Sequence, residues 1–470
     1  MDVSSGLIGS LGAIVGGKHV LTDAADMAPH LREWRDLFVG RASAVVKPGS
    51  TAEVSALMRF AHETGTPVVP QGGNTGLVGG QIPVADGREI ILSLSRLDKV
   101  RSIEPQSDSI TVEAGVTLLK VQEAADSAGR LFPLSLASEG SCTIGGNLST
   151  NAGGTAVIAY GNTRDMCLGL EVVLADGRIW NGLKSLRKDN TGYDLKNLFI
   201  GAEGTLGIIT AASLKMFPRP QSRATAFVAV ADPAHALALL HLAKAEAGSQ
   251  VTTFEIMPRF GLDVVLRHAA DTRDPLDQPS PWYVLMELAS PAANGLDGVM
   301  EALLEKAFET GLVTDATIAA TLSQTHGFWR IREAMSEVQR FEGGSIKHDV
   351  AVPVASVPAF LARAITLVEQ MIPGCRPLPF GHLGDGNIHF NITQPEGADK
   401  AAFLGRWDEV NAQVHAVVRE FGGSISAEHG IGRLKKHLLA GVKDPVELAL
   451  MRAIKATLDP SGILNPGAVL

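Results

Sequence analysis

The run Pro379-Phe-Gly-His-Leu-Gly-Asp-Gly-Asn-Ile-His-Phe-Asn391 carries the residue types of a metal site laid out as a hairpin. If Asp385-Gly386 forms a two-residue type I′ turn, His382 lies directly opposite His389 and both rings leave one face of the ribbon. Opposed β-carbons about 4.5–5.5 Å apart let two imidazoles share one ion, and Asn391 follows on the same face. A histidine taken alone is more often a satisfied structural residue, so a third group is needed. Ser424-Ile-Ser-Ala-Glu-His-Gly-Ile-Gly432 offers Glu428 as an oxygen ligand, with His429 beside it. Two histidines and a glutamate suit Zn²⁺, but they also suit Mn²⁺, Fe²⁺ or Co²⁺.

Three glycine-rich segments suggest a second chemistry. Pro70-Gln-Gly-Gly-Asn-Thr-Gly-Leu-Val-Gly-Gly80 could turn several backbone N–H groups toward one anion, as a pyrophosphate requires, although a lone loop of this kind is more often a surface turn. Pro133 to Gly154 interleaves glycines with Ser, Thr and Asn, which suits a polar, extended cofactor, and Gly201-Ala-Glu-Gly-Thr-Leu-Gly-Ile-Ile-Thr210 completes the set. No G-x-G-x-x-G occurs, so a nicotinamide held in the Rossmann manner has no support. Gly12 to Lys18 imitates a nucleotide-binding P-loop, but His19 replaces the required Ser or Thr and no strand precedes it.

The elements that must hold these residues read as α+β. With 470 residues and 45% hydrophobic content, two or three domains are expected. A formal charge of -9 with no basic run argues against a nucleic-acid partner. Three scattered cysteines fit neither a disulfide framework nor a Cys-based zinc site. The opening Met-Asp-Val-Ser-Ser lacks the charged leader of a secretory signal and reads as mature sequence, and no apolar stretch reaches the roughly 20 residues that cross a bilayer. The cytoplasm is the expected location. Residues 18–36 look helical, and Thr51 to Gly65 has an N-cap, helical apolar spacing and a terminal glycine before the strand-like Pro67-Val-Val. Short strands and glycines fill Ile90 to Phe217, Pro218-Arg-Pro220 reads as a boundary, and Ala/Leu-rich helices alternate with strands from about 224 to 370. Asp444 and Pro445 open a helix running to about Leu458.

At the three glycine segments together the chain resembles the FAD-binding family of vanillyl-alcohol oxidase and p-cresol methylhydroxylase, over roughly residues 40–217. Adding the histidine hairpin, the Glu428-His429 segment, Trp329-Arg-Ile-Arg-Glu333 and Leu464-Asn-Pro-Gly467 extends the likeness to Gly467, and it then resembles the D-2-hydroxy-acid dehydrogenase branch, which includes D-2-hydroxyglutarate and D-lactate dehydrogenases. The resemblance implies an N-terminal helical segment (1–36), a two-subdomain FAD-binding fold of the vanillyl-alcohol oxidase type (37–217), an α+β substrate or cap domain with an antiparallel sheet (218–422), and a C-terminal helical segment returning to the flavin (423–470). It also implies FAD contacts from Pro70, Gly72, Gly73, Asn74, Thr75 and Gly76 at the pyrophosphate, from Pro133, Gly140, Ser141, Gly145, Gly146, Asn147 and Asn151, from Gly204, Gly207 and Ile209, and from Asn465. Pro70 to Gly80 contains no His or Cys for a covalent flavin link, so the FAD is expected to be non-covalent.

By the same resemblance His382, His389 and Glu428 are metal ligands, zinc being the first choice, and His429 lies nearest the reacting carbon as base. Arg332 would grip the substrate 1-carboxylate with a bidentate fork, its alternative being a surface helix arginine. Ser336, Lys347 and Asn391 match substrate-binding positions; Ser336 stands where threonine is common, and Lys347, placed in a short strand, could instead pair with Asp349. A second cation favours a dicarboxylate, so D-2-hydroxyglutarate precedes D-malate and D-lactate. The electron acceptor is left open among a quinone, a cytochrome and an electron-transfer flavoprotein, and a homodimer is compatible with the apolar strands of the second domain. Three other readings stand beside this one: a flavin oxidase using O₂, a zinc hydrolase without flavin, and a non-catalytic flavoprotein subunit.

Overall fold

A computed structural model describes residues 3–470, with side chains from Gly6 onward. Met1 and Asp2, which open the expected N-terminal segment, lie outside the described residues. Two compact units divide the chain: Met1–Gly153, Asn162–Arg219 and Glu428–Leu470 form the first, Gly154–Gly161 and Pro220–Ala427 the second. The short excursion at 154–161 has no counterpart in the boundaries read from sequence.

The first unit holds two larger sheets and a two-stranded ribbon that pairs Arg130–Leu131 with Phe217–Pro218. In one, Ala44–Val46, Ile90–Ser93 and Val68–Gln71 run parallel, with Val20–Leu21 antiparallel at the edge. The helix Thr51–Thr64 buries Val54, Leu57, Met58 and Ala61 against this sheet, a one-faced spacing. Its cap is Ser50, whose Oγ accepts the Glu53 N–H, rather than Thr51, and Gly65 ends it at φ 67. The other sheet is antiparallel, in the order Val100–Glu104, Ser109–Glu113, Ile208–Lys215, Cys167–Val173, Ile179–Gly182.

Residues 18–36 do not form the continuous helix expected. A 3₁₀ turn (Gly17–His19) and a two-residue strand precede the helix Ala24–Leu31, which Asp23 caps by accepting the Ala25 N–H. Glu33 stops it from continuing: its fully buried carboxylate accepts the N–H of Arg35 and of Leu37, satisfying locally what a further helical turn would otherwise bind. The preceding stretch, within the N-terminal segment expected to be helical, is the helix Val3–Val15, with Leu11 and Val15 in the core. At the other end, Asp444 caps the helix Pro445–Leu458, and the chain then returns so that the Asn465 N–H donates to Val68 O at 2.8 Å beside the parallel sheet.

One eight-stranded antiparallel sheet organises the second unit, in the order Asp315–Ile318, Ser222–Val230, Trp282–Ser290, Val251–Pro258, Arg376–His382, Asn387–Thr393, Ser345–Ile346, with Asp349–Ala351 also on Asn387–Thr393. The helices Arg259–His268 and Leu322–Val338 cover one face with Leu262, Val265, Phe328, Ile331 and Met335. Pro233–Ala247, Leu296–Glu309 and Val357–Met371 cover the other. The window Val354–Met371, 18 residues with a mean hydropathy of 1.2, is long and apolar enough by length and composition alone to count as a candidate bilayer span; Val357, Phe360, Leu361, Ala364 and Val368 of it are buried within this unit.

The histidine hairpin differs in register from the two-residue turn. His382 pairs with Asn387, and His389 pairs with Phe380. Four residues close the loop because the N–H groups of Asp385 and Gly386 both donate to His382 O, at 3.2 and 3.0 Å, while Asp385 Oδ1 accepts the Asn387 N–H at 2.9 Å. The slip is by an even number of residues, so both histidines keep the same face and become diagonal neighbours instead of opposed ones.

Candidate active site

The glycine segments of the first unit are pressed together more tightly than any other residue would allow. A β-carbon on Gly73 would stand 1.9 Å from Ser141 O, one on Gly72 2.3 Å from Thr143 Oγ1, and one on Gly204 2.3 Å from Pro70 Cγ. Gly145 meets Ala114 in the same way, at 2.7 Å, and Gly207 meets Val172 at 2.6 Å. Asn74 takes the left-handed conformation at φ 56 and donates from Nδ2 to Pro29 O and Arg32 O, each at 2.9 Å. Its Oδ1, with Thr143 Oγ1 and Asn465 Oδ1, is buried and has no hydrogen-bond partner among the described residues. Buried oxygens left unbonded are costly, and three of them among these loops fit a polar cofactor absent from the protein chain itself.

Other expected cofactor residues have mixed surroundings. Asn147 is buried in the first turn of the helix Ile144–Thr150, which also contains Gly145 and Gly146. Asn151 caps that helix at φ 51 and accepts the Arg164 N–H at 3.0 Å through Oδ1. Thr75 and Gly76 are half-buried, Pro133 is buried, and Gly140 and Ser141 are exposed. Ile209 lies in the antiparallel sheet's core. Asn465 donates from Nδ2 to Gly80 O at 2.9 Å and to Glu203 O at 2.8 Å, tying the tail to two of the glycine segments.

Glu203 was not singled out from sequence. Its carboxylate accepts the N–H of Ile431 at 2.7 Å and of Gly432 at 2.8 Å, so it holds the segment that follows His429. Burial pushes its carboxyl up to about 7 despite those two hydrogen bonds. The available signal was an acidic residue within Gly-Ala-Glu-Gly-Thr with no basic neighbour. Glu428 and His429 are half-buried, and a β-carbon on Gly153 would stand 2.8 Å from Glu428 Oε1.

In the second unit the hairpin face gathers several of the named side chains. The rings of His382 and His389 are 5.6 Å apart, edge to face at 80°. His382 Nδ1 donates to Glu255 Oε1 at 2.6 Å, and Glu255 Oε2 accepts from Arg332 Nε at 2.6 Å. Burial alone would raise the Glu255 carboxyl, but the charges of Arg332 and His382 hold it at about 2. Arg332 is therefore not a surface arginine: it belongs to the buried stripe Phe328, Ile331, Arg332, Met335 and lies 4.7 Å over the Phe380 ring. Glu255 is the second residue that sequence reasoning missed; an acid inside the apolar run Phe254-Glu-Ile-Met was its only mark.

The remaining substrate residues are less gathered. Asn391 is buried on the hairpin face, with Nδ2 donating to Gln339 Oε1 at 3.0 Å. Ser336 is exposed, and its carbonyl accepts from Lys347 Nζ at 3.1 Å. Lys347 sits in the break between Ser345–Ile346 and Asp349–Ala351, not within a strand. Asp349 faces His389 across the ladder, Oδ1 lying 3.9 Å from His389 Nδ1 and accepting from Asn387 Nδ2 at 3.0 Å.

Comparison with known proteins identifies the family. Residues 42–182 match the FAD binding domain, and 219–469 match the C-terminal domain of FAD linked oxidases. The chain is 39% identical to the mitochondrial D-2-hydroxyglutarate dehydrogenase of Arabidopsis thaliana, covering 97% of this chain and 80% of that one. The mitochondrial enzyme of Bos taurus is also 39% identical, over 100% and 84%, and the D-2-hydroxyglutarate dehydrogenase of Xanthomonas citri pv. viticola is 38% identical, over 97% and 95%. Among solved structures, p-cresol methylhydroxylase with substrate bound gives a TM-score of 0.79 at 17% identity, covering 100% of this chain and 97% of that chain. The chain belongs to the FAD-linked D-2-hydroxy-acid dehydrogenases of the vanillyl-alcohol oxidase and p-cresol methylhydroxylase fold. It is an FAD-dependent dehydrogenase, and the flavin-free hydrolase is set aside.

Proposed function

We propose that the protein oxidises D-2-hydroxyglutarate to the 2-oxo acid, with non-covalent FAD and a divalent metal, zinc first, held by His382, His389 and Glu428. The observation that carries this reading is the buried Arg332–Glu255–His382 chain with His389 beside it, which sets a guanidinium and two imidazoles on one sheet face. A bound metal would stabilise the charge that develops on the C2 hydroxyl oxygen, and bound flavin would take the C2 hydrogen as hydride.

The donor set fits such an ion. Nδ1 of His382 is occupied by Glu255, which leaves Nε2 as the ligating nitrogen, and Glu428 follows Ala427, whose N–H donates to Asp349 O at 3.4 Å. Neither Nη group of Arg332 hydrogen-bonds a described residue, so its fork suits the substrate 1-carboxylate. Lys347 supplies the cation for the 5-carboxylate, with the Ser336 hydroxyl and Asn391 as polar partners. His429 accepts the hydroxyl proton, its loop held by Glu203. The relatives named as D-2-hydroxyglutarate dehydrogenases support this acid over D-malate and D-lactate. Electrons then pass to a quinone, a cytochrome or an electron-transfer flavoprotein.

The test is the anaerobic visible spectrum with D-2-hydroxyglutarate, D-malate, D-lactate and the L-acids, before and after chelation. Bleaching by D-2-hydroxyglutarate at the lowest concentration, lost with chelator and restored by metal, is expected. Bleaching that survives proven metal removal would take the metal out of the reaction, and stoichiometric peroxide in air would make the protein an oxidase.

A further inference from the structure

Glu255 has no exposed surface and stands in the middle of the strand Val251–Pro258, paired in register with Leu285 on one side and His382 on the other. An ionised carboxylate in a sheet interior must be matched by charge and hydrogen bonds, and here each oxygen has a separate partner. Oε1 accepts from His382 Nδ1 and Oε2 from Arg332 Nε, each at 2.6 Å.

We propose that Glu255 is a positioning residue that couples the metal ligand His382 to the substrate clamp Arg332, so that one buried carboxylate sets both metal affinity and the grip on the substrate carboxylate. The inference rests on the reading of those two residues given above. A carboxylate only accepts, so His382 carries a proton on Nδ1, which makes Nε2 the nitrogen that a metal would take up in place of a proton. On the other oxygen, the bond to Nε turns the edge bearing the Nη groups away from Glu255 while Phe380 supports the guanidinium plane at 4.7 Å. Rotation of the carboxylate to follow one partner would pull it from the other.

The purely structural alternative is that Glu255 only neutralises a buried arginine. The two accounts part at Glu255→Gln, whose amide can accept from His382 or from Arg332 but must turn an NH₂ toward the other donor. Zinc affinity would be measured by competition with a chromophoric chelator on flavin-loaded protein stripped of metal, and KM and kcat would be measured after zinc is restored. Glu255→Gln is expected to lose about 10–100-fold in zinc affinity and to raise KM for the acid more than it lowers kcat. The double variant Glu255→Gln, Arg332→Met removes the charge that would otherwise stay buried alone, and it should show the same zinc deficit; it decides the matter if the single variant does not fold. Zinc binding within about twofold of the unaltered protein in the folded variant overturns the proposal. If the unaltered protein itself shows no zinc site sensitive to His389→Gln, the metal reading fails and the proposal falls with it.

Discussion

The Glu203 carboxylate accepts the Ile431 N–H at 2.7 Å, binding the third glycine segment to the chain two residues beyond His429. Its second oxygen takes the Gly432 N–H, and a β-carbon on Gly430 would stand 2.6 Å from Oε1, so the segment has one position relative to Glu203. Glu203→Gln keeps the size but faces one N–H with another donor. Leaving a buried donor unmatched costs about 1–3 kcal/mol, and a displaced base lowers turnover. Reduced kcat with FAD content unchanged is the expected result; full kcat at all pH values would show that Glu203 does not position His429.

The same group gives a pH signature. Its folded pKa, about 7, lies above the ordinary glutamate value of 4.5, so between these values the folded state holds more protons than the unfolded one. Stability therefore falls as pH rises through that window, by about 3 kcal/mol when complete. Denaturant melts from pH 4.5 to 8 should show this decline in the unaltered protein and a flatter profile in Glu203→Gln. Parallel profiles would assign the titration elsewhere.

Arg332→Lys keeps the charge but loses the fork. Lysine has its three donors on one nitrogen and cannot hold Glu255 while presenting a planar, two-nitrogen fork to a carboxylate. KM for the hydroxy acid should rise about 10–100-fold, by about 1.4–2.8 kcal/mol of lost binding, with the flavin spectrum intact. A KM shift below about twofold would remove Arg332 from the substrate site.

At Gly73 the test is steric. A methyl group placed 1.9 Å from Ser141 O forces the Pro70 loop off its neighbour, so Gly73→Ala should purify with most of its FAD missing. The ratio of flavin to protein absorbance reads this directly, and full occupancy would show that the loop tolerates separation from Ser141.

For His429→Gln, a loss of about 10²–10⁴-fold in kcat is expected, with FAD content and KM near those of the unaltered protein. A rate unchanged within about threefold would place the base elsewhere.

What the sequence disclosed follows from how local each signal is. Glycine runs, the capped helix at Asp444 and the shared face of the hairpin histidines depend on neighbouring residues, and each can be read from a few positions. The hairpin register could not be read, because whether Asp385 caps Asn387 or occupies a tight turn is a competition between two nearly equal local solutions. Residues 18–36 misled for a similar reason: the burial of Glu33, which diverts the backbone, is a tertiary event. Glu255 and Glu203 escaped notice because their partners are 77 residues from Glu255, at Arg332, and 228 residues from Glu203, at Ile431. An isolated acid announces its burial only when the distant chain is seen.

The return of Asn465 to Val68 has a consequence for synthesis. The second unit draws on 154–161 and the continuous stretch 220–427, whereas the first needs residues 428–470. On a ribosome the second unit is complete in the chain well before the first receives its contact from Asn465. Any step that depends on Asn465 must then wait until residues 428–470 have emerged and this asparagine has closed beside Val68.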